Sequence, residues 1–269
     1  MRRFITAAVM FLFVATPAFA HFQMIYTPEM AYEKGGKLDF QIVFTHPFSA
    51  GHTMNMGTPI EFFMMYEAQG KVKKEDLTGK LEKVSWTSLT NSGDAYMVKG
   101  IKARKMGDYI FGLIPAPYYE GEEDIYIQQL TKVVINNAGE PTIWADPAGM
   151  PAEIMPLDKP YALWTGNLFR GVVMAGGKPV PGAEIEVEFV NHPPVPGKNA
   201  FQEKAIAKAP QAAFETMGIL ADQNGQFAYA IPKAGWWGFC ALGVGPQKTH
   251  EGKELSQDAV IWVQAKDMK

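Results

Sequence analysis

Between Lys37 and Phe44 the apolar residues Leu38, Phe40, Ile42 and Phe44 alternate with Asp39, Gln41 and Val43. That period of two is the signature of a strand with one buried face. The same texture recurs over Ile60–Tyr66, Lys80–Leu89, Ala95–Ile101, Gly107–Ile114 and Asp124–Ile135, each run bounded by Gly, Pro, Asn or Asp. Short strands at such regular spacing predict an antiparallel sandwich.

The Pro- and Gly-containing stretch 136–159 interrupts the pattern, and strands are expected again at Leu168–Met174, Glu184–Val190, Gln226–Ile231 and Ala259–Val263. Turns fall at Gly176-Gly177-Lys178 and Asp222-Gln223-Asn224-Gly225. The fold class read from this pattern is all-β, with two antiparallel β-sandwich domains over 21–159 and 160–269, the second immunoglobulin-like or prealbumin-like. Pro193 to Ala213 reads as an exposed insertion with one short helix. In Trp236-Trp237, neighbouring positions on a strand face opposite ways, so one indole should enter the core and the other cover a surface or an interdomain contact.

Composition sharpens the picture at the amino terminus. Arg2-Arg3, the apolar run Phe4–Val14 and the site Ala18-Phe19-Ala20 form a secretory signal peptide, so residues 1–20 are set aside, cleavage is expected after Ala20, and a periplasmic location follows. Removing both arginines leaves 23 basic residues against 28 acidic, with no basic block, which excludes nucleic acid as a partner. Cys240 is the only cysteine, so no internal disulfide can form, and its apolar surroundings in sequence mark it as a small buried hydrophobe.

With cysteine pairs excluded, the five histidines carry the candidate chemistry. Cleavage after Ala20 would make His21 the first residue, whose α-amine and ring close a six-membered chelate on one metal ion. The amine has a reference pKa of about 7.7–8.0, so a metal displaces its proton near neutral pH. One more imidazole, from His46 or His52, completes a planar three-nitrogen set suited to Cu(II) or Ni(II). Met24, Met54 and Met56 lie nearby in sequence, where their thioethers could serve Cu(I) or act as weak axial donors, or else simply pack as apolar residues. His192 and His250 read as solvated surface residues, and the acidic run Glu120-Gly121-Glu122-Glu123-Asp124 as a solvated loop. The absence of a Gly-x-Ser-x-Gly elbow, a His-Glu-x-x-His motif or a phosphate-cradling loop leaves no enzyme chemistry to assign and no small-molecule substrate to argue.

The segments His21-Phe22-Gln23-Met24, Thr45-His46-Pro47-Phe48, Pro117-Tyr118-Tyr119-Glu120, Glu153-Ile154-Met155-Pro156-Leu157, Gly166-Asn167-Leu168-Phe169-Arg170-Gly171 and Gly235-Trp236-Trp237-Gly238-Phe239, taken in order, resemble the periplasmic NikK-like proteins. That is a domain-of-unknown-function family found beside nickel ECF-type uptake transporters. The resemblance implies a metal-binding accessory that captures Ni(II), or Co(II), and passes it to a membrane-embedded nickel/cobalt uptake transporter, with His21 and His46 at the family's histidine positions. Some members place a His just before the Thr-Lys pair, where this chain has Gln128-Gln129-Leu130. The expected ligands are therefore His21, His46 and His52, with Met54, Met56 and Met24 as thioether candidates. Two other readings remain: a periplasmic copper-binding protein using the same amino-terminal chelate, and a non-metal carbohydrate-binding or adhesion sandwich using exposed aromatics.

Overall fold

The computed structural model describes residues 21–268; the expected leader, 1–20, lies outside them. The chain is all-β. Among the described residues there is no α-helix, and only the 3-10 turns Thr78–Lys80 and Ala212–Phe214 interrupt the strands. The alternating runs become Gly36–Thr45, Glu61–Ala68, Glu82–Thr87, Ser92–Ala103, Gly107–Ile114 and Ile125–Asn137. Two further strands carry no alternation. Phe22–Tyr26 is buried on both faces, whereas Lys71–Asp76 is exposed throughout and forms a sheet edge, where its lysines and acids discourage pairing with another chain.

Three sheets result. A four-stranded sheet runs Phe22–Tyr26, Gly36–Thr45, Ser92–Ala103, Glu82–Thr87. A twelve-stranded sheet has the central path Thr216–Leu220, Glu184–Phe189, Gly235–Ala241, Lys253–Lys266, Ile125–Asn137, Gly107–Ile114, Glu61–Ala68, Lys71–Asp76. The third combines Ala152–Pro156, Leu168–Ala175, Lys178–Pro179 and Gln226–Ala230. Strands from both sides of Pro160 thus meet in the large sheet, at a seam where Ile125–Asn137 and Lys253–Lys266 run parallel, with Gln129 opposite Asp258 and Val133 opposite Trp262. The turn-based expectation of antiparallel pairing describes hairpin neighbours, but this pair is separated by more than a hundred residues and obeys no hairpin rule.

The two small sheets cover opposite faces of that seam. On one side Phe22 meets Trp262 at 5.6 Å and Tyr26 meets Trp236 at 5.0 Å between ring centroids. On the other, Phe169 and Phe227 lie 4.8 and 5.6 Å from Phe239, and Tyr229 lies 5.9 Å from Trp237. Parallel strands are stable where both faces are covered, and here Leu130–Asn137 and Ala259–Ala265 are buried residue after residue. The Trp236-Trp237 pair does face opposite ways, and each indole lies under a small sheet with neither exposed, so of the two expectations for the second ring it is a contact between sheets and not an open surface that the packing provides. His192 is likewise buried, its Nδ1 2.8 Å from the Gln202 carbonyl, because the segment after Pro193 folds back over it.

Candidate metal centre

The first strand pairs antiparallel with Gly36–Thr45, Phe22 opposite Thr45 and Gln23 opposite Phe44. One step outward, that register sets His21 against His46, the two residues just past the ladder's end. Directly opposed positions are cross-strand neighbours. The ring centroids are 4.6 Å apart and tilted by 44°. Pro47 stops further pairing, and the chain turns back at once: Gly51 N–H donates to the His46 carbonyl at 3.3 Å, and Thr53 returns to bridge Thr45. Gly51 packs close to this turn: a Cβ there would sit 2.7 Å from Ser49 Oγ, which would have to rotate away.

The other edge of the first strand has no strand beside it and is turned onto the face of the large sheet, where side chains replace the missing ladder. Gln129 acts as a two-point clamp: its Nε2 donates to the His21 carbonyl at 2.7 Å, and its Oε1 accepts from Gln23 N–H at 2.7 Å. Trp262 Nε1 donates to the Gln23 carbonyl at 2.9 Å, and Thr131 Oγ1 lies 3.5 Å from that same oxygen. Buried backbone groups demand partners, and Gln129 and Thr131 of the strand Ile125–Asn137 supply them at this edge, whereas Gln128 and Lys132 face the other way, toward Gln257 and Glu153. A local cue existed, because Gln128-Gln129-Leu130-Thr131-Lys132 places four polar residues inside an apolar run.

A third element closes the site. The short strand Tyr118–Glu120 pairs with Ile125–Ile127, and alternation aims Tyr118 and Glu120 to one side, Tyr119 to the other. Tyr118 lies 5.5 Å from Phe44 and 6.4 Å from His21 between ring centroids, and Glu120 Oε2 is 3.3 Å from His21 Nε2. Both partners of this contact are largely shielded, their side chains 16% and 15% exposed. Glu120 Oε1 accepts from Glu122 N–H at 3.2 Å. The acidic run expected to be a solvated loop therefore contributes one carboxylate to the histidine cluster. A small cavity beside it is lined by Gln23, Phe44, Met56, Tyr118 and Gln129 and has room for no more than about one water.

The remaining candidates are dispersed. His52 is exposed, with Nε2 3.3 Å from Asn91 Nδ2. Met24 and Met54 are buried in the core, and Met56 lines the small cavity with its Sδ 3.6 Å from Gln23 Nε2. His250 packs edge-on against Tyr126 at 4.6 Å. Among the described residues no group of three or more His, Cys, Asp or Glu side chains is arranged to hold a metal ion. A larger groove of about 270 Å³ lies between the four-stranded sheet and the segment Pro194–Asn199; its lining includes Tyr26, Phe40, Met97 and Pro196 and contains no histidine or cysteine.

Beneath the first strand the large sheet is acidic. Glu186 lies opposite Cys240, and Asp258 Oδ2 is 3.9 Å from Cys240 Sγ and 3.2 Å from Gln129 Nε2. Glu188 Oε1 accepts from Phe48 N–H at 3.0 Å, tying this face to the His46 loop, while Glu188 Oε2 is buried with no hydrogen-bond partner. Burial pushes Asp258 up to about 6, Glu186 up to about 7 and Glu188 well above the carboxylate range; acidic neighbours add to the rise at Glu186 and Glu188, whereas hydrogen bonds to Asp258 and the Phe48 N–H on Glu188 oppose it. Cys240 is raised well above its ordinary value by the same burial and by Asp258 and Glu186, so its thiol stays protonated.

A fold with an edge strand ending at paired histidines defines a β-sandwich protein with a rim site. The chain belongs to the family described as "domain of unknown function (DUF4198)", which matches residues 18–245. No curated protein matches it. Among solved structures, the D0-D1 domain of Intimin is 11% identical across 91% of this chain and 100% of that one, with a TM-score of 0.22. The complex of Dpr11 IG1 with DIP-gamma IG+IG2 is 10% identical across 89% and 98%, with a TM-score of 0.19. The pilus 2b backbone protein of group B streptococcus is 11% identical across 89% and 97%, with a TM-score of 0.17. Scores this low carry no functional inference. No helix among the described residues is long and apolar enough to cross a membrane.

Proposed function

We propose that the mature protein is a periplasmic binder of a divalent transition metal, Ni(II) or Co(II), which it supplies to a membrane-embedded nickel/cobalt uptake transporter. The observation that carries this reading is the approach of the His21 and His46 rings, 4.6 Å apart at the sheet rim, where imidazole–metal bonds of about 2.0–2.1 Å bring both within reach of one ion. His21 and His46 contribute two side chains, and the third nitrogen is the α-amine that cleavage after Ala20 frees, which is not a side chain. Two features support an ion as the cargo over a sugar stacked on Trp236-Trp237: the cavity beside Phe44 and Tyr118 has room for about one water, and both indoles are covered. The transporter partner rests on the resemblance to NikK-like proteins. The copper-binding reading is the second choice, supported by Met56, a soft sulfur that lines the small cavity with its Sδ 3.6 Å from Gln23 Nε2.

Calorimetric titration of a form beginning at His21 tests this. His46→Ala should abolish measurable Ni(II) binding, and an extra residue ahead of His21 should weaken it, since the amine becomes an amide; His52→Ala should change little. Equal affinity in the extended form would remove the terminus from the ligand set, and preference for copper over nickel and cobalt under matched buffer conditions would select the second reading.

A further inference from the structure

Imidazole has two nitrogens, and an amino-terminal histidine has no choice between them: the six-membered chelate that includes the α-amine closes only through Nδ1. In this structure Glu120 meets the other one, Nε2, at 3.3 Å. Its second oxygen is engaged by Glu122 N–H, and its strand is held in a hairpin with Ile125–Ile127 whose turn is tied down by Asp124, contacted by Tyr119 Oη and by Lys253. The carboxylate is thus fixed from behind, at a ring already flanked by Phe44 and Tyr118.

We propose that Glu120 is the positioning residue of the metal centre, and this rests on the reading of His21 as a ligand. By accepting a hydrogen bond from Nε2–H, Glu120 holds the His21 ring in the tautomer whose Nδ1 carries the lone pair. It also fixes the ring's rotation against the strand and makes Nδ1 a stronger donor. Metal-bound histidines are ordinarily supported in this way by a carboxylate on the far nitrogen, and loss of the support costs roughly ten- to hundredfold in metal affinity. The carboxylate does not touch the ion. Its placement follows from alternation in Tyr118-Tyr119-Glu120, which puts Tyr118 and Glu120 on the side facing His21 and sends Tyr119 out toward Tyr126.

The test uses the protein beginning at His21, wild type and with Glu120→Gln and Glu120→Ala. In metal-free protein at a pH where the ring is neutral, 15N correlation spectra should show His21 protonated on Nε2, and Glu120→Ala should shift the population toward the Nδ1–H form. Ni(II) affinity should fall roughly ten- to hundredfold in Glu120→Ala and less in Glu120→Gln, which keeps an acceptor oxygen. Cu(II) as a paramagnetic probe should show altered nitrogen hyperfine couplings in Glu120→Ala. A wild-type His21 protonated on Nδ1, or an unchanged tautomer in Glu120→Ala, overturns the proposal, even if affinity falls through the lost negative charge. Circular dichroism melts check that each variant is folded, and Glu120→Gln supplies the comparison should Glu120→Ala fail to fold. The reading of His21 as a ligand fails separately, through unchanged Ni(II) binding in His21→Ala, while the metal-free tautomer of the wild type still decides the role of Glu120.

Discussion

Lys132 and Glu153 meet at 2.6 Å on the face of the large sheet covered by Ala152–Pro156, whereas on the opposite face, under the first strand, Glu188, Asp258 and Cys240 are buried with only other acids among the charges that act on them. The first arrangement is self-contained. Glu153 also accepts from Ala148 N–H at 2.9 Å and Gly149 N–H at 3.1 Å, so its carboxylate has three donors, while burial pulls Lys132 down and Glu153 pulls it back up. The second arrangement instead raises the proton affinity of its groups, modestly at Asp258 and strongly at Glu188 and Cys240. A paired buried charge ties sheets together at any ordinary pH; an unpaired acidic face makes stability depend on proton uptake and places latent negative charge behind the rim that holds His21 and His46.

The contrast is broken most sharply by Lys132→Met. Removing one partner of a buried pair leaves Glu153 uncompensated and should cost about 3–5 kcal/mol in urea denaturation, whereas Lys132→Met with Glu153→Leu should recover much of that loss. A single-variant cost below about 1 kcal/mol would show that the pair contributes nothing as an ion pair.

On the other face Gln129→Ala is next in size. It strips partners from the His21 carbonyl and the Gln23 N–H, both at the covered edge of the first strand, and should cost about 2–3 kcal/mol. Hydrogen exchange should locate the loss in Phe22–Tyr26. Uniform protection in the variant would mean that the clamp is dispensable and that pairing with Gly36–Thr45 alone holds the strand.

The smallest effect is a slope. Glu186 has its folded value raised to about 7 from an ordinary 4.5, so the folded state holds this proton more tightly than the unfolded state. Its contribution is fully present below about pH 4.5 and is lost as pH rises through 7, with Asp258 acting in the same direction up to about 6. Stability measured in urea should therefore fall between pH 4.5 and 7.5, and Glu186→Gln should flatten that fall. Parallel curves for the variant and the wild type would place Glu186 in water rather than on the acidic face.

Much of this was readable locally. Alternation marked Gly36–Thr45 because one face of that strand is buried, and Asp222-Gln223-Asn224-Gly225 announced its turn because the Asp222 carboxylate accepts from Asn224 and Gln226 N–H and Gly225 takes a φ of +72°. His21 was identifiable as a candidate from residue type and from the expected cleavage, but His46 and His52 stood equally beside it. Local pattern failed where both faces are covered. Phe22–Tyr26 has no alternation to read, and the acidic run 120–124 looks solvated until one of its members is seen against a histidine a hundred residues away.

What the amino-acid sequence by itself determined is the all-β class, most strand positions, the turns and the histidine inventory, because backbone sterics and period-two burial act within a few residues. Only the tertiary structure decided that Ile125–Asn137 lies parallel to Lys253–Lys266, that Gln129 clamps the first strand, and that Glu120 rather than His52 reaches His21. These contacts join positions separated by roughly a hundred residues or more, and a side chain's chemistry names the partners it can take without saying which of them the packing of three sheets will bring to it.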